Sequence, residues 1–310
     1  MLPFLSVRSL QKIYPGKVPF TAVKDVSFDL LPAQILGLLG ANGAGKTTTI
    51  QMLLSTLKPS SGSILYFGKE LMTYRSEVLQ HVSFASTYVG LPGNLTVQQN
   101  LEVFGRFYGL SSCDIRLRIT PLLERFGLGS KIKKAVSTLS AGQLTRLMLI
   151  KAFMTYPKVA LLDEPTASLD PDIAKEVINF VFEQRKQQGT AVLYTSHNMG
   201  EIAEVCDRVL FMKEGTIVAN DLPQNLARSV LPFRLTLQMA DGMKRTVVIA
   251  EEMGLKYKVD HRSIVLELDE PHIAQFLSAI GGRGVLYTHI GIKEPDLEDY
   301  FLHMSGKRLT

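Results

Sequence analysis

The stretch Gly40-Ala41-Asn42-Gly43-Ala44-Gly45-Lys46-Thr47-Thr48 has the spacing G-x-x-x-x-G-K-[ST]. An apolar run over residues 34–39 precedes it and a helix-period run over residues 46–57 follows it. Glycines let the backbone turn tightly and aim successive N–H groups inward, and the start of the helix adds partial positive charge. Phosphate oxygens fit such a cradle. Lys46 would reach β- and γ-phosphates, and the Thr47 hydroxyl would ligate Mg²⁺. Gly40, Asn42, Gly43, Ala44, Gly45, Lys46, Thr47 and Thr48 are therefore candidate contacts to a nucleoside triphosphate. A glycine turn that matched by chance would not be expected to have both the strand before it and the helix after it.

A second constellation lies at Val159-Ala160-Leu161-Leu162-Asp163-Glu164-Pro165, an apolar run ending in two carboxylates. Ligands of open α/β sheets sit beyond the carboxyl ends of strands, where these acids would fall. Asp163 suits the outer shell of a bound Mg²⁺, and Glu164 suits polarising the water that attacks a γ-phosphate. The same pair could cap the next element, but the phosphate loop favours the chemical role.

The elements that must position these groups follow from hydrophobic period. Strands are expected near residues 4–9, 26–30, 35–39, 63–67, 82–85, 158–162, 190–194 and 207–212. Helices are expected near 45–55, 97–109, 114–126, 141–155 and 171–188. Helices between strands imply a parallel sheet covered on both faces. Residues 96–155 are almost wholly of helical pattern and read as a subdomain inserted into that sheet. Beyond residue 222 the pattern changes to strands near 233–239, 245–249, 256–260 and 263–268. A helix near 271–280, a strand near 284–290 and a helix near 296–304 complete a small α+β domain.

With 310 residues, 46% of them hydrophobic, the chain can hold a large domain and a smaller one. No apolar run approaches the roughly 18 residues of a membrane helix. The first residues show no basic leader with an apolar stretch, so a soluble cytosolic protein is expected, reaching a membrane only through a partner. The net charge of +5 is dispersed and gives no ground for a nucleic-acid partner. Cys113 and Cys206 lack metal-type spacing and are expected to be buried free thiols.

Leu139-Ser140-Ala141-Gly142-Gln143 resembles the signature sequence of the ATP-binding-cassette (ABC) ATPases, and the rest of that family's set follows in order. Ala167-Ser168-Leu169-Asp170 resembles the D-loop, His197 after Thr195-Ser196 the switch histidine, and Tyr14 the aromatic that stacks on adenine. Over about residues 4–228 the resemblance implies a P-loop NTPase cassette of α/β class with an inserted helical subdomain at about 88–155. It is followed by the small C-terminal α+β domain, 229–310. It implies ATP and Mg²⁺ as ligands and an ATPase with Glu164, His197 and Lys46 catalytic and Thr47 and Asp163 serving the metal. Ser140, Gly142, Gln143 and Asp170 would meet nucleotide across the interface with a second cassette, most simply another copy. Ser140 is also expected to be a helix N-cap, which is compatible with that role. Core packing stays open as the role of Tyr14. In place of the Q-loop glutamine, the register puts Thr87.

The run 294–302 resembles the tail of ATPases from bacterial drug- and antibiotic-export systems. The resemblance thus implies a subunit that powers a separate integral-membrane permease and sits on the inner face of the cell membrane. The competing reading is a non-transport ABC-type ATPase, a soluble clamp or regulator.

Overall fold

The computed structural model describes residues 2–86, 90–229 and 232–304. They divide into two compact units at Leu222/Pro223. Pro223 opens the second unit because the helix Pro223–Arg228 packs on the helix Leu297–Met304.

The first unit holds ten strands: β1 (Leu5–Tyr14), β2 (Phe20–Leu30), β3 (Ile35–Leu39), β4 (Ser61–Tyr66), β5 (Lys69–Glu70), β6 (Val82–Ser86), β7 (Val159–Asp163), β8 (Ala191–Thr195), β9 (Arg208–Lys213) and β10 (Thr216–Asp221). They form one sheet in the order β5-β4-β1-β2-β10-β9-β3-β8-β7-β6. The run β9-β3-β8-β7-β6 is parallel, and every residue of β3 and β8 is buried, as strands covered on both faces must be. The sheet is nevertheless mixed, which corrects the expectation of a parallel one. The pairs β1–β2, β1–β4, β4–β5 and β9–β10 are antiparallel. Phe67-Gly68 and Glu214-Gly215 both have positive φ, the geometry of two-residue hairpin loops. Such loops can join only antiparallel strands, and neither β5 nor β10 was visible in the sequence pattern.

Seven helices of this unit are α1 (Lys46–Leu53), α2 (Arg75–Leu79), α3 (Val97–Phe107), α4 (Ser112–Arg125), α5 (Ala141–Phe153), α6 (Pro171–Gln188) and α7 (Met199–Val205). Three of them, α3, α4 and α5, make up the inserted helical block, and each opens with a reciprocal capping box: Thr96 with Gln99, Ser111 with Asp114, Ser140 with Gln143. The block meets α6 through aromatic rings. Phe180 of α6 lies edge-on to Phe126, at the end of α4, and to Phe153 of α5, with ring centroids 5.1 and 5.0 Å away. Beside them Arg125 grips Glu183 with both terminal nitrogens, at 2.5 and 3.0 Å.

The second unit contains β11 (Phe233–Asp241), β12 (Lys256–Asp260), β13 (Ser263–Leu268) and β14 (Leu286–Lys293) in an antiparallel sheet of order β12-β13-β11-β14. Its helices are α8 (Pro223–Arg228), α9 (Met243–Glu252), α10 (Glu270–Gly282) and α11 (Leu297–Met304). Residues 245–249, expected as a strand, are helical in α9. Their β-branched run suggested extended chain, but Gly242 caps a helix in the left-handed region. The helix then buries Thr246, Ile249 and Ala250 at helical spacing. Packing of that face overrides local propensity.

Cys206 is buried as expected, whereas Cys113 is exposed, because it sits in the outward-facing first turn of α4. No described helix is long and apolar enough to cross a membrane.

Candidate nucleotide site

A cleft of about 770 Å³ opens at the carboxyl ends of the parallel strands. Into it the sequence-predicted residues Asn42, Gly43, Gly45, Lys46, Thr47 and Thr48 face together with Tyr14, Asp163, Glu164 and His197. Loop 40–45 follows β3 and runs into α1, whose cap Gly45 has φ 106°. Gly40 and Ala44 do not line the cleft. They sit beneath the loop: a Cβ on Gly40 would stand 2.2 Å from the Met212 carbonyl, and the Ala44 methyl is buried. The Ala44 N–H donates to the Ala41 carbonyl at 3.0 Å. These two residues shape the cradle from below.

The Lys46 ammonium donates to the Gly40 and Ala41 carbonyls at 2.6 and 3.2 Å. Burial pulls its pKa below the usual lysine value, and the nearby Glu164 and Asp163 oppose that shift. A half-buried cation bonded to two loop carbonyls can turn to an anion that enters the cleft.

The acids are held by the sheet's register. Ser86, Asp163 and Thr195 are the last residues of β6, β7 and β8, and they stand on one rung. The Ser86 hydroxyl donates to Asp163 Oδ2 at 3.1 Å and the Thr195 hydroxyl to Oδ1 at 2.8 Å. Both hydroxyl residues are buried. This fixes the carboxylate while leaving each oxygen further acceptor capacity. Sequence reasoning missed Ser86 and Thr195. The available signal was a hydroxyl at the end of each neighbouring apolar strand, but it acquires meaning only once the strand order is known.

Glu164 adopts a left-handed backbone, φ 54°. Such strain costs about 1–3 kcal/mol for a non-glycine residue and persists only where the surroundings over-determine it. Here its N–H donates to both the carbonyl and the hydroxyl of Thr195, each at 3.1 Å. The following Pro165 also discourages the helical conformation. The kink turns the Glu164 side chain into the cleft, where Oε1 lies 2.5 Å from His197 Nε2. Glu164 is 12% exposed and His197 57%, so the acid occupies the inner position and the histidine the rim.

Tyr14 and Phe20 face each other across the β1–β2 ladder and both line the cleft. Phe20, 62% exposed, was not foreseen. An exposed aromatic carries no periodic signal in a sequence.

The remaining predicted contacts lie elsewhere. Ser140 caps α5, accepting from the Gln143 N–H at 3.3 Å, and Gln143 Oε1 accepts from the Ser140 N–H at 3.1 Å. Gly142 packs under the loop 167–170: a Cβ there would meet the Ser168 carbonyl at 3.2 Å and Leu169 at 3.4 Å. Asp170 is exposed at the start of α6. Ser140, Gly142, Gln143 and Asp170 do not line the cleft of their own chain. Thr87 lies outside the described residues. No cluster of three or more histidine, cysteine or acidic side chains suited to a metal occurs among the described residues.

A family model described as "ABC transporter" matches residues 23–167. The Nod factor export ATP-binding protein I of Cupriavidus metallidurans is 30% identical over 310 residues, covering 100% of this chain and 99% of that one. The linearmycin resistance ATP-binding protein LnrL of Bacillus subtilis is 28% identical over 312 residues, covering 98% and 99%. Among solved structures, cbiO1 of Clostridium perfringens, part of the ABC transporter complex cbiONQ, superposes with a TM-score of 0.62 at 28% identity. It covers 72% of this chain and 90% of that one.

Proposed function

This chain belongs to the ABC transporter family, as an ATP-binding, ATP-hydrolysing subunit that works with a separate membrane permease, and from that premise we propose how its residues divide the work. The observation that carries the assignment is the convergence in one cleft of the phosphate loop, the paired acids and His197. Backbone N–H groups of residues 42, 43 and 45–48 at the start of α1 cradle the phosphates, with Lys46 leaving its loop carbonyls for the β- and γ-phosphate oxygens. Glu164, at the inner end, orients and deprotonates the attacking water, and His197 holds the γ-phosphate from the rim. Mg²⁺ suits the donor set, with Thr47 as ligand and Asp163 in the outer shell; when bound it neutralises charge on the β- and γ-phosphates.

Tyr14 and Phe20 supply two aromatic edges for adenine. Base–aromatic stacking is worth about 1–3 kcal/mol per base on alanine substitution. Phe20→Ala is therefore expected to weaken ATP affinity about tenfold and GTP affinity to a similar degree, since guanine presents the same stacking face, measured with fluorescent nucleotide analogues. Equal ATP affinity in wild type and variant would return Phe20 to the role of a bystander.

Lys46→Ala tests the cradle. Loss of a charge-assisted contact to phosphate costs about 1.5–3 kcal/mol, so ATP affinity should fall roughly 10- to 100-fold while adenosine binding stays the same. Unchanged ATP affinity would refute the phosphate-loop reading.

Because Ser140, Gly142, Gln143 and Asp170 lie off their own cleft, the active unit is two cassettes, most simply two copies, with each signature helix closing the partner's cleft. The capped start of α5 then offers its N–H groups and dipole to the γ-phosphate of the other copy. We place the protein on the cytoplasmic face of the cell membrane, bound to its permease, exporting a drug or another small lipophilic compound. The export reading rests on full-length similarity to the two export and resistance proteins, which extends through the second unit. A strain lacking the gene should accumulate lipophilic antibiotics, and wild-type protein but not Glu164→Gln should restore efflux. Restoration by the inactive variant would favour the non-transport reading.

A further inference from the structure

Glu201 lies outside the cleft, on α7, yet its carboxylate joins the two segments that carry the reacting groups. The Thr166 hydroxyl contacts both of its oxygens, at 2.9 and 2.8 Å, and the Tyr194 hydroxyl donates to Oε1 at 2.6 Å. Thr166 sits midway along the turn from Glu164 to Ser168, whose φ angles are 54° and 62°. Two left-handed non-glycine residues so close together need outside support. The bonds Ala167 N–H to the Glu164 carbonyl and Leu169 N–H to the Thr166 carbonyl lie within the turn. Thr195 holds its first residue through the Glu164 N–H, and Glu201 holds its middle through Thr166.

The other end of the tie is equally specific. Tyr194 is fully buried and immediately precedes Thr195, whose oxygens hold Asp163 and the Glu164 N–H. Burial first, and the charge of Glu201 second, push the Tyr194 phenol well above its ordinary pKa, so it stays a donor. The Glu201 N–H donates to Asn198 Oδ1 at 3.1 Å, and Asn198 follows His197. One residue thus connects through its main chain to the neighbour of His197 and through its side chain to the turn behind Glu164.

We infer that Glu201 is a positioning residue for hydrolysis, setting the spacing of Glu164 and His197 by tying the start of α7 to the turn 164–168 through Thr166. The inference rests on the reading of Glu164 as the base.

Steady-state ATP hydrolysis by the full-length chain tests it. Thr166→Val keeps the shape and removes the hydroxyl, and a small misplacement of reacting groups can cost up to about 10²-fold. The expected result is a kcat about tenfold lower, with the KM for ATP within about twofold of wild type; the melting midpoint falls because a bond to a carboxylate is lost, but the protein stays folded at the assay temperature. Thr166→Ser should recover kcat, because it restores the bond. Glu201→Gln, with one acceptor kept at the same length, should fall between the two and serves as the readout should Thr166→Val fold poorly. A native kcat in Thr166→Val, or a loss that serine does not recover, overturns the inference. Glu164→Gln run alongside keeps the two readings apart. If it hydrolyses normally, the base assignment fails whatever Thr166 does. If it is inactive while Thr166→Val is native, only the role of Glu201 fails.

Discussion

Glu164→Gln is expected to bind ATP with native affinity and to lose about 10²- to 10⁴-fold in hydrolysis, the usual contribution of a positioned general base. The amide matches the carboxylate in size, so the left-handed backbone and its bonds to Thr195 should persist. Lys46 and the loop N–H groups are untouched, which keeps binding. What disappears is the acceptor for the water's proton, while the amide oxygen can keep the contact with His197 Nε2 as a weaker, uncharged hydrogen bond. With hydrolysis blocked and binding intact, ATP should hold two copies together. Size-exclusion chromatography with ATP should therefore show a dimer for Glu164→Gln and a monomer without nucleotide. A variant hydrolysing at more than about a tenth of the wild-type rate would mean that the proton goes elsewhere.

The site's local parts were legible in the sequence because they are compact and chemically rare. A phosphate loop is nine consecutive residues between a strand and a helix, and Asp163-Glu164 ends a short apolar run whose length and following proline suit a buried strand. The support of those acids was not legible. Ser86, Asp163 and Thr195 meet only because β6, β7 and β8 are adjacent and in register, a fact of strand order that no window of sequence contains. Glu201 is hidden for the same reason: its partners at 166 and 194 belong to two other segments. The fold shows the same division. The buried parallel strands were visible as apolar runs. The short β5, the β10 strand with no buried residue and the hairpin turns that make the sheet mixed were not, because their pairing depends on positive-φ residues such as Phe67 and Glu214. In α9, β-branched residues pointed to a strand, and only the apolar face shared with β11 and β13 makes them helical.

Phe180→Ala should produce the largest loss of stability. The ring is 1% exposed, lies edge-on to Phe126 and Phe153, and carries the Arg125 guanidinium over its face with the central carbon 5.0 Å from the centroid. Truncating a buried phenylalanine costs about 3–5 kcal/mol, because the lost burial adds to the cavity left behind. Leu117→Ala is the contrast, since Leu117 is 69% exposed and the change should stay within about 0.5 kcal/mol. The Phe180 ring joins α6, whose N-cap is Asp170, to α4 and α5, the latter starting at the signature residues. Its loss should therefore loosen the helical block before the sheet. Hydrogen exchange in α4 and α5 should rise more than in β3 or β8, while ATP still binds. Phe180→Leu should recover most of the stability, because it refills the cavity. Were Phe180→Ala to denature at the native midpoint, the joint would have to be carried by the Arg125–Glu183 pair. Those side chains are 28% and 43% exposed, and solvent screening makes so wet a pair a poor substitute for three interlocked rings.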